Sequence, residues 1–225
     1  MHVVVNAAMS ADGKLSSRRR EQIAISGEED FARVDRLRAD SDAVVVGVGT
    51  VLADDPSLTV KDERLCERRL ANGRSKHPAR VVVDSKARTP SDAVVLDDAA
   101  STFVCVGEVA PVDERMDLAA HAELVTAGEE RVDLLRAFAA LESAGLERIM
   151  VEGGGELIFS LFEVGLVDEL KVFVGPKLIG GREAPTLADG DGFVAEFPTL
   201  TLESLERLDD GALLTWSAGG SSTDT

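Results

Sequence analysis

Three consecutive glycines between two carboxylates, Glu152-Gly153-Gly154-Gly155-Glu156, are the sharpest chemical feature of the chain. The apolar run Arg148 to Val151 precedes them, and Leu157 to Glu163 follows with helical spacing. A strand that passes through glycine into a helix presents unshielded backbone N–H groups at the positive end of the helix dipole, and it lets a phosphate approach the main chain. That suits a dinucleotide pyrophosphate. Because the triplet is not the G-x-G-x-x-G fingerprint, a plain tight turn stands beside this reading.

Three further strand ends carry polar residues of the right kind. Gly47-Val48-Gly49-Thr50 follows a Val-rich run and leads into Val51 to Pro56, a second ligand-facing turn of the sort at which open α/β sheets bind small molecules. Arg80 to Val83 ends in Asp84-Ser85-Lys86-Ala87-Arg88, which places a hydroxyl and two cations just past the sheet. In so acidic a chain this is a candidate seat for the 2′-phosphate of NADPH, or else a solvated turn. Near the N-terminus, Asn6 to Leu15 leaves a first strand through small residues that let a flat ring lie against the backbone, with Lys14 at the pocket mouth. Taken alone, Asp12-Gly13 is an ordinary turn.

Other chemistries lack their residues. His2, His77 and His121 are scattered, and there is no H-x-E with a partnering P-C-x-x-C for a zinc deaminase, so no metal is expected. No G-x-S-x-G supports a hydrolase. Cys66 and Cys105 fall in unrelated contexts, as expected of a reducing cytoplasm. With 41 acidic against 24 basic residues the formal charge is -17, which repels a nucleic-acid backbone. Arg outnumbers Lys and the acidic excess is spread along the chain, a pattern that points to a halophilic source. No apolar run reaches bilayer length and no signal segment precedes Val3-Val4-Val5, so a soluble, unprocessed protein is expected.

The elements that must position these residues read as one α/β domain over residues 1–218, with 219–225 a disordered tail. Val3 to Ala8, Ala43 to Val48, Arg80 to Asp84, Thr102 to Val106, Arg148 to Val151 and Leu170 to Val174 read as buried strands of a largely parallel sheet. Glu28 to Ala39, capped from Ser26-Gly27, and Val132 to Ala144, closed by Gly145, have helical spacing. Leu200 to Leu208 and Ala212 to Ser217 flank Asp209-Asp210-Gly211 as an antiparallel hairpin, which makes the sheet mixed. The charged stretch 61–78 reads as a surface insertion.

Ser26-Gly27-Glu28-Glu29-Asp30, Leu37-Arg38-Ala39, the run Val46 to Val60, Val83-Asp84-Ser85, Glu152-Gly153-Gly154-Gly155, Gly165 to Glu169 and Pro176 to Gly181 together resemble one family. It is that of the archaeal 2,5-diamino-6-ribosylamino-4(3H)-pyrimidinone 5′-phosphate reductases, related to the reductase half of the bifunctional bacterial riboflavin enzyme. The resemblance implies a dihydrofolate-reductase-like α/β fold, a homodimer, and hydride transfer from NADPH (NADH is the alternative) to C1′ of the ribosyl group. On the matching positions it implies that Ala8, Thr50, Asp54, Ser85, Lys86, Arg88, Gly153, Gly154, Gly155 and Glu156 contact the cofactor. Lys14, Arg38, Lys61 and Glu152 would then face the ribose phosphate, with Lys14, Asp54 and Glu152 as the titratable candidates for catalysis. Two other readings remain open: a reductase of another pteridine or dihydrofolate-like substrate, and a non-catalytic nucleotide-binding protein on the same scaffold.

Overall fold

Val-rich runs buried on both faces make a sheet whose strands need helices on either side. The computed structural model describes residues 1–21 and 23–219, and among them nine strands form one sheet in the order β5-β4-β3-β2-β6-β1-β7-β9-β8. The strands are β1 (His2–Ser10), β2 (Ala43–Gly47), β3 (Ala79–Val83), β4 (Thr102–Val106), β5 (Glu123–Thr126), β6 (Arg148–Gly153), β7 (Glu169–Gly175), β8 (Leu200–Leu208) and β9 (Gly211–Ala218). The first seven pair in parallel; β9 runs antiparallel to β7 and β8 antiparallel to β9. The mixed, mostly parallel α/β sheet with a C-terminal hairpin is thus the observed architecture. The expected tail lies, beyond Gly219, outside the described residues. No helix among the described residues is long and apolar enough to cross a membrane.

Among the described residues the α-helices are α1 (Glu28–Asp40), α2 (Val48–Asp54), α3 (Glu63–Ala71), α4 (Val112–Ala119), α5 (Leu134–Ser143) and α6 (Gly155–Glu163), with α3 seated against the end of α1. Alternation along each strand divides the core in two. Val3, Val5, Val45, Val81, Ile149 and Val151 pack with Phe138 and Leu141 of α5 and Ile158 and Leu161 of α6. On the other face Val44, Val46, Val82 and Val104 pack with Val51 of α2 and Leu118 of α4. Asn6, Ala8 and Ser10 alternate with the core-facing Val3 and Val5, and so share a face with α1.

The stretch 61–78, expected to be a surface insertion, holds a helix that was not foreseen: α3, capped by Asp62 and anchored by the buried Arg69, which donates to Ala39 O at 2.8 Å and Ser41 O at 2.7 Å. Its few apolar residues hid the helix, because hydrogen bonds rather than a wide apolar stripe seat it. Of the expected cap Ser26-Gly27, Gly27 is the N-cap; it supplies no side-chain bond, and the first-turn N–H groups of Glu29 and Asp30 donate to Asp209 in the β8–β9 turn at 3.2 and 3.0 Å. A Cβ on Gly27 would lie 2.5 Å from the Asp209 carboxyl carbon, so the glycine is what admits this distant cap.

Candidate active site

The site begins where two neighbouring strands part. β1 pairs with β6 only from His2↔Arg148 to Val5↔Val151, yet it stays paired with β7 as far as Ser10↔Gly175. Beyond Val5 a cleft therefore opens between β1, carrying Asn6 and Ala8, and the C-terminal end of β6, carrying Glu152. On its other side β6 slips by one residue against β2, since Val45 pairs with Val151 but Val46 with Gly153. A bulge of this kind re-aims a side chain at a strand's end, and the residue it falls on is Glu152.

Glu152 is received by α1. Arg38 grips its carboxylate with two parallel bonds, Nε to Oε1 at 2.5 Å and Nη2 to Oε2 at 2.6 Å, and uses Nη1 to hold Thr59 O at 3.0 Å. Burial opposes charge on the guanidinium, but Glu152, with Asp35 behind it, outweighs that and holds the Arg38 pKa above its ordinary value. The structure thus joins two residues that were expected to face substrate separately, and both oxygens of Glu152 are engaged. Beside them Lys61 Nζ donates to Ser57 Oγ at 2.6 Å and Thr59 Oγ1 at 3.0 Å. Ser57 and Thr59 were not singled out from sequence: Leu58 between them has φ +51°, so their convergence on Lys61 does not follow from the alternation of a strand.

A second helix turn on α1 contributes a buried network at the same face. Asp30 accepts Ser26 Oγ and Arg33 Nε, and Arg33 Nη2 reaches Asn6 Oδ1 at 2.7 Å. Lys14 lies at the end of the β1 turn, its ammonium 3.2 Å from Ala184 O and its backbone bridged to Thr186. Asp12, beside it, accepts from Ser10 Oγ, Ile179 N and Gly180 N, and these bonds pull its carboxyl down to about 2.

The coenzyme flank is built from backbone. Gly154 has φ +91° and heads α6; a Cβ added to it would meet Gly47 at 3.8 Å, and one on Gly153 would meet Thr50 Oγ1 at 3.5 Å. Thr50 belongs to α2, so Gly47-Val48-Gly49-Thr50 is a helix start rather than the turn expected, and Asp54 ends that helix. Partial desolvation holds the carboxyl of Asp54, which stays exposed at the rim, above its ordinary value. Glu156 is exposed on the first turn of α6. Past β3, Ser85 Oγ accepts from Val132 N at 3.0 Å, and Lys86 and Arg88 line a hollow of ≈ 350 Å³ whose far wall, on α4, carries Glu114 and Asp117. Asp84 is fully buried: its Oδ2 accepts two bonds from Thr89, while Oδ1 has no hydrogen-bond partner among the described residues and lies 3.9 Å from Arg88 Nε.

Glycine-lined strand ends, an ion pair and titratable side chains around one cleft of a parallel sheet define a small-molecule enzyme of the α/β class. The model of the RibD C-terminal domain matches residues 1–214, and the chain belongs to that family. It is 48% identical over 214 residues to the 2,5-diamino-6-ribosylamino-4(3H)-pyrimidinone 5′-phosphate reductase of Archaeoglobus fulgidus, covering 95% of this chain and 96% of that one. The protein of the same name from Methanothermobacter thermautotrophicus is 45% identical, with 90% of each chain covered. Among solved structures, a pyrimidine reductase-like protein from Corynebacterium diphtheriae shares the fold, with a TM-score of 0.84 at 21% identity over 97% of this chain and 92% of that one.

Proposed function

We propose that the chain is the oxidoreductase that converts the ribosyl group of 2,5-diamino-6-ribosylamino-4(3H)-pyrimidinone 5′-phosphate, the substrate its relatives are named for, to the ribityl chain, with NADPH as reductant. The observation that carries this reading is the parting of β1 from β6 beyond Val5↔Val151, which leaves a cleft with small residues on one wall and the Arg38–Glu152 pair on the other.

The residues present fit a dinucleotide. Around Gly47, Gly153, Gly154 and Thr50 the main chain is bare, Gly154 holds a φ of +91° that side chains rarely adopt, and the start of α6 offers backbone donors. Ala8 would lie against the nicotinamide, Asp54 at the rim of α2 against its ribose, and Ser85, Lys86 and Arg88 around the 2′-phosphate. Bound there, the reduced coenzyme supplies the hydride that C1′ receives.

The remaining work falls to side chains of the cleft. Arg38 and Glu152 hold one another rigid, so Glu152 presents negative potential to the cation that develops as the sugar ring opens. Its oxygens being taken, the proton for ring opening comes from Asp54, whose raised pKa keeps it protonated to higher pH, or from Lys14 at the other side. Ser57, Thr59 and Lys61 form a cup of two hydroxyls and an ammonium for the 5′-phosphate. The edge strand β8 exposes Leu202 and Leu205 and carries no partner on its outer side among the described residues, which favours a homodimer through this hairpin.

The test is loss of NADPH or NADH absorbance with purified protein in concentrated salt, offered the diaminopyrimidine phosphate, dihydrofolate or no substrate. Oxidation of NADPH with the pyrimidine alone is expected. Oxidation with dihydrofolate in its place, or coenzyme binding without turnover, would overturn the assignment in favour of a pteridine reductase or a non-catalytic binder.

A further inference from the structure

Asp35 is a buried carboxylate, 9% exposed, on the turn of α1 before Arg38, and it stands behind the loop that carries Lys61. On charge alone it is misplaced, because a buried anion weakens a neighbouring anion site. Both of its oxygens are nonetheless consumed by that loop: Lys61 N donates to Oδ1 at 2.8 Å and Asp62 N to Oδ2 at 2.7 Å. One residue further on, Asp62 caps α3 through Arg64 N at 2.9 Å. Two residues back, Thr59 O is held by Arg38.

Lys61 therefore sits between two backbone anchors, both from α1. Residues 57, 59 and 61 lie in an irregular segment, with Leu58 at φ +51°, so no strand alternation brings their side chains together and their convergence depends on the backbone being held from outside. The ammonium itself hangs on a flexible four-carbon stem and is located only as well as its own Cα. We propose that Asp35 is a positioning residue for substrate: by clamping the peptide N–H groups of Lys61 and Asp62 it fixes the cup of Ser57, Thr59 and Lys61 in the geometry that takes a phosphate monoester. This rests on the reading of that cup as the 5′-phosphate seat.

The experiment compares KM and kcat for the substrate with and without its 5′-phosphate in the wild type, Asp35→Ala, Asp35→Asn and Lys61→Ala. Losing two charge-assisted bonds in Asp35→Ala raises KM for the phosphorylated substrate by roughly tenfold with kcat within about twofold. KM for the dephosphorylated substrate stays where it is. Asp35→Asn keeps one acceptor but turns an amide NH₂ toward the other peptide N–H; its effect falls between, and it carries the comparison if the alanine variant does not fold. Lys61→Ala loses the preference for the phosphorylated form. Should Asp35→Ala impair both substrates alike, or keep a preference that Lys61→Ala loses, Asp35 is merely structural and the proposal is overturned. Should Lys61→Ala itself keep the preference, the phosphate seat is elsewhere and both readings fall.

Discussion

The two flanks of the cleft are held together by opposite means. On the α1 side most polar groups are engaged, Arg38 by Glu152 and Thr59 O, Asp35 by two peptide N–H groups, Arg33 by Asp30 and Asn6, and only Arg33 Nη1 is buried without a partner among the described residues. On the coenzyme side the structure offers room instead, in the Gly47–Gly154 gap, with exposed Lys86 and Arg88 around a buried Asp84 that has one oxygen unanswered. A site that discriminates between small polar substrates gains from side chains fixed in advance, since their ordering cost is met in folding. A site for a pyrophosphate needs close approach of the main chain more than it needs side chains. The contrast implies that substitutions on the first flank tell on folding or on substrate, whereas those on the second tell on coenzyme binding, with a folding cost added where a glycine is tightly packed.

The largest test removes the ion pair. Glu152→Ala leaves the mostly buried Arg38 without its carboxylate, and we expect a stability loss of about 3 kcal/mol in urea unfolding, together with loss of turnover. If stability is unchanged, the first flank is not the pre-ordered one. Next is Gly155→Ala, whose Cβ would come 2.6 Å from Thr186 O and 2.7 Å from Asp189 Oδ2. Thermal denaturation should show a loss of about 1–3 kcal/mol, with coenzyme affinity reduced as the 186–189 loop is displaced. An unaltered affinity would separate α6 from the coenzyme. Arg88→Ala is smaller: NADPH should bind roughly tenfold more weakly with NADH little changed, as fits loss of one exposed cation-to-phosphate contact. Equal weakening of the two would return residues 84–88 to the role of a solvated turn.

The mildest effect is on pH. Desolvation raises the Asp54 pKa, so the protonated acid persists above the ordinary carboxylate range and kcat should fall as pH rises through that raised value. Asp54→Asn should remove this alkaline limb. A wild-type limb that survives in the variant assigns the proton to Lys14 instead.

Buried parallel strands are legible because they are short, Val-rich, mostly apolar runs: the sequence places Thr102 to Val106 at its observed bounds, and β2 and β3 to within a residue. β5 escaped notice because Glu123–Thr126 is short and half exposed at the sheet edge, where nothing requires a continuous apolar run. α2 and α4 are one to two turns long, too brief for periodicity to declare itself. The glycine triplet, Lys14, Asp54 and Glu152 could be picked out by type and by their position after strands. That Glu152 would be bound by Arg38 could not, since 114 residues and the insertion of β6 between β1 and β2 separate them.

Taken alone, the order of residues settled which buried segments are strands, that the sheet is mainly parallel, and which residue types gather at its carboxyl ends, because burial and backbone freedom act locally. Only the folded chain decided who pairs with whom. Asp209 caps a helix that starts 181 residues earlier in the chain at Glu28, and Asp35 holds the peptide of Lys61. Hydrogen bonds and ion pairs depend on distances of a few ångströms, and such distances between remote residues exist only once strand order and register have been fixed.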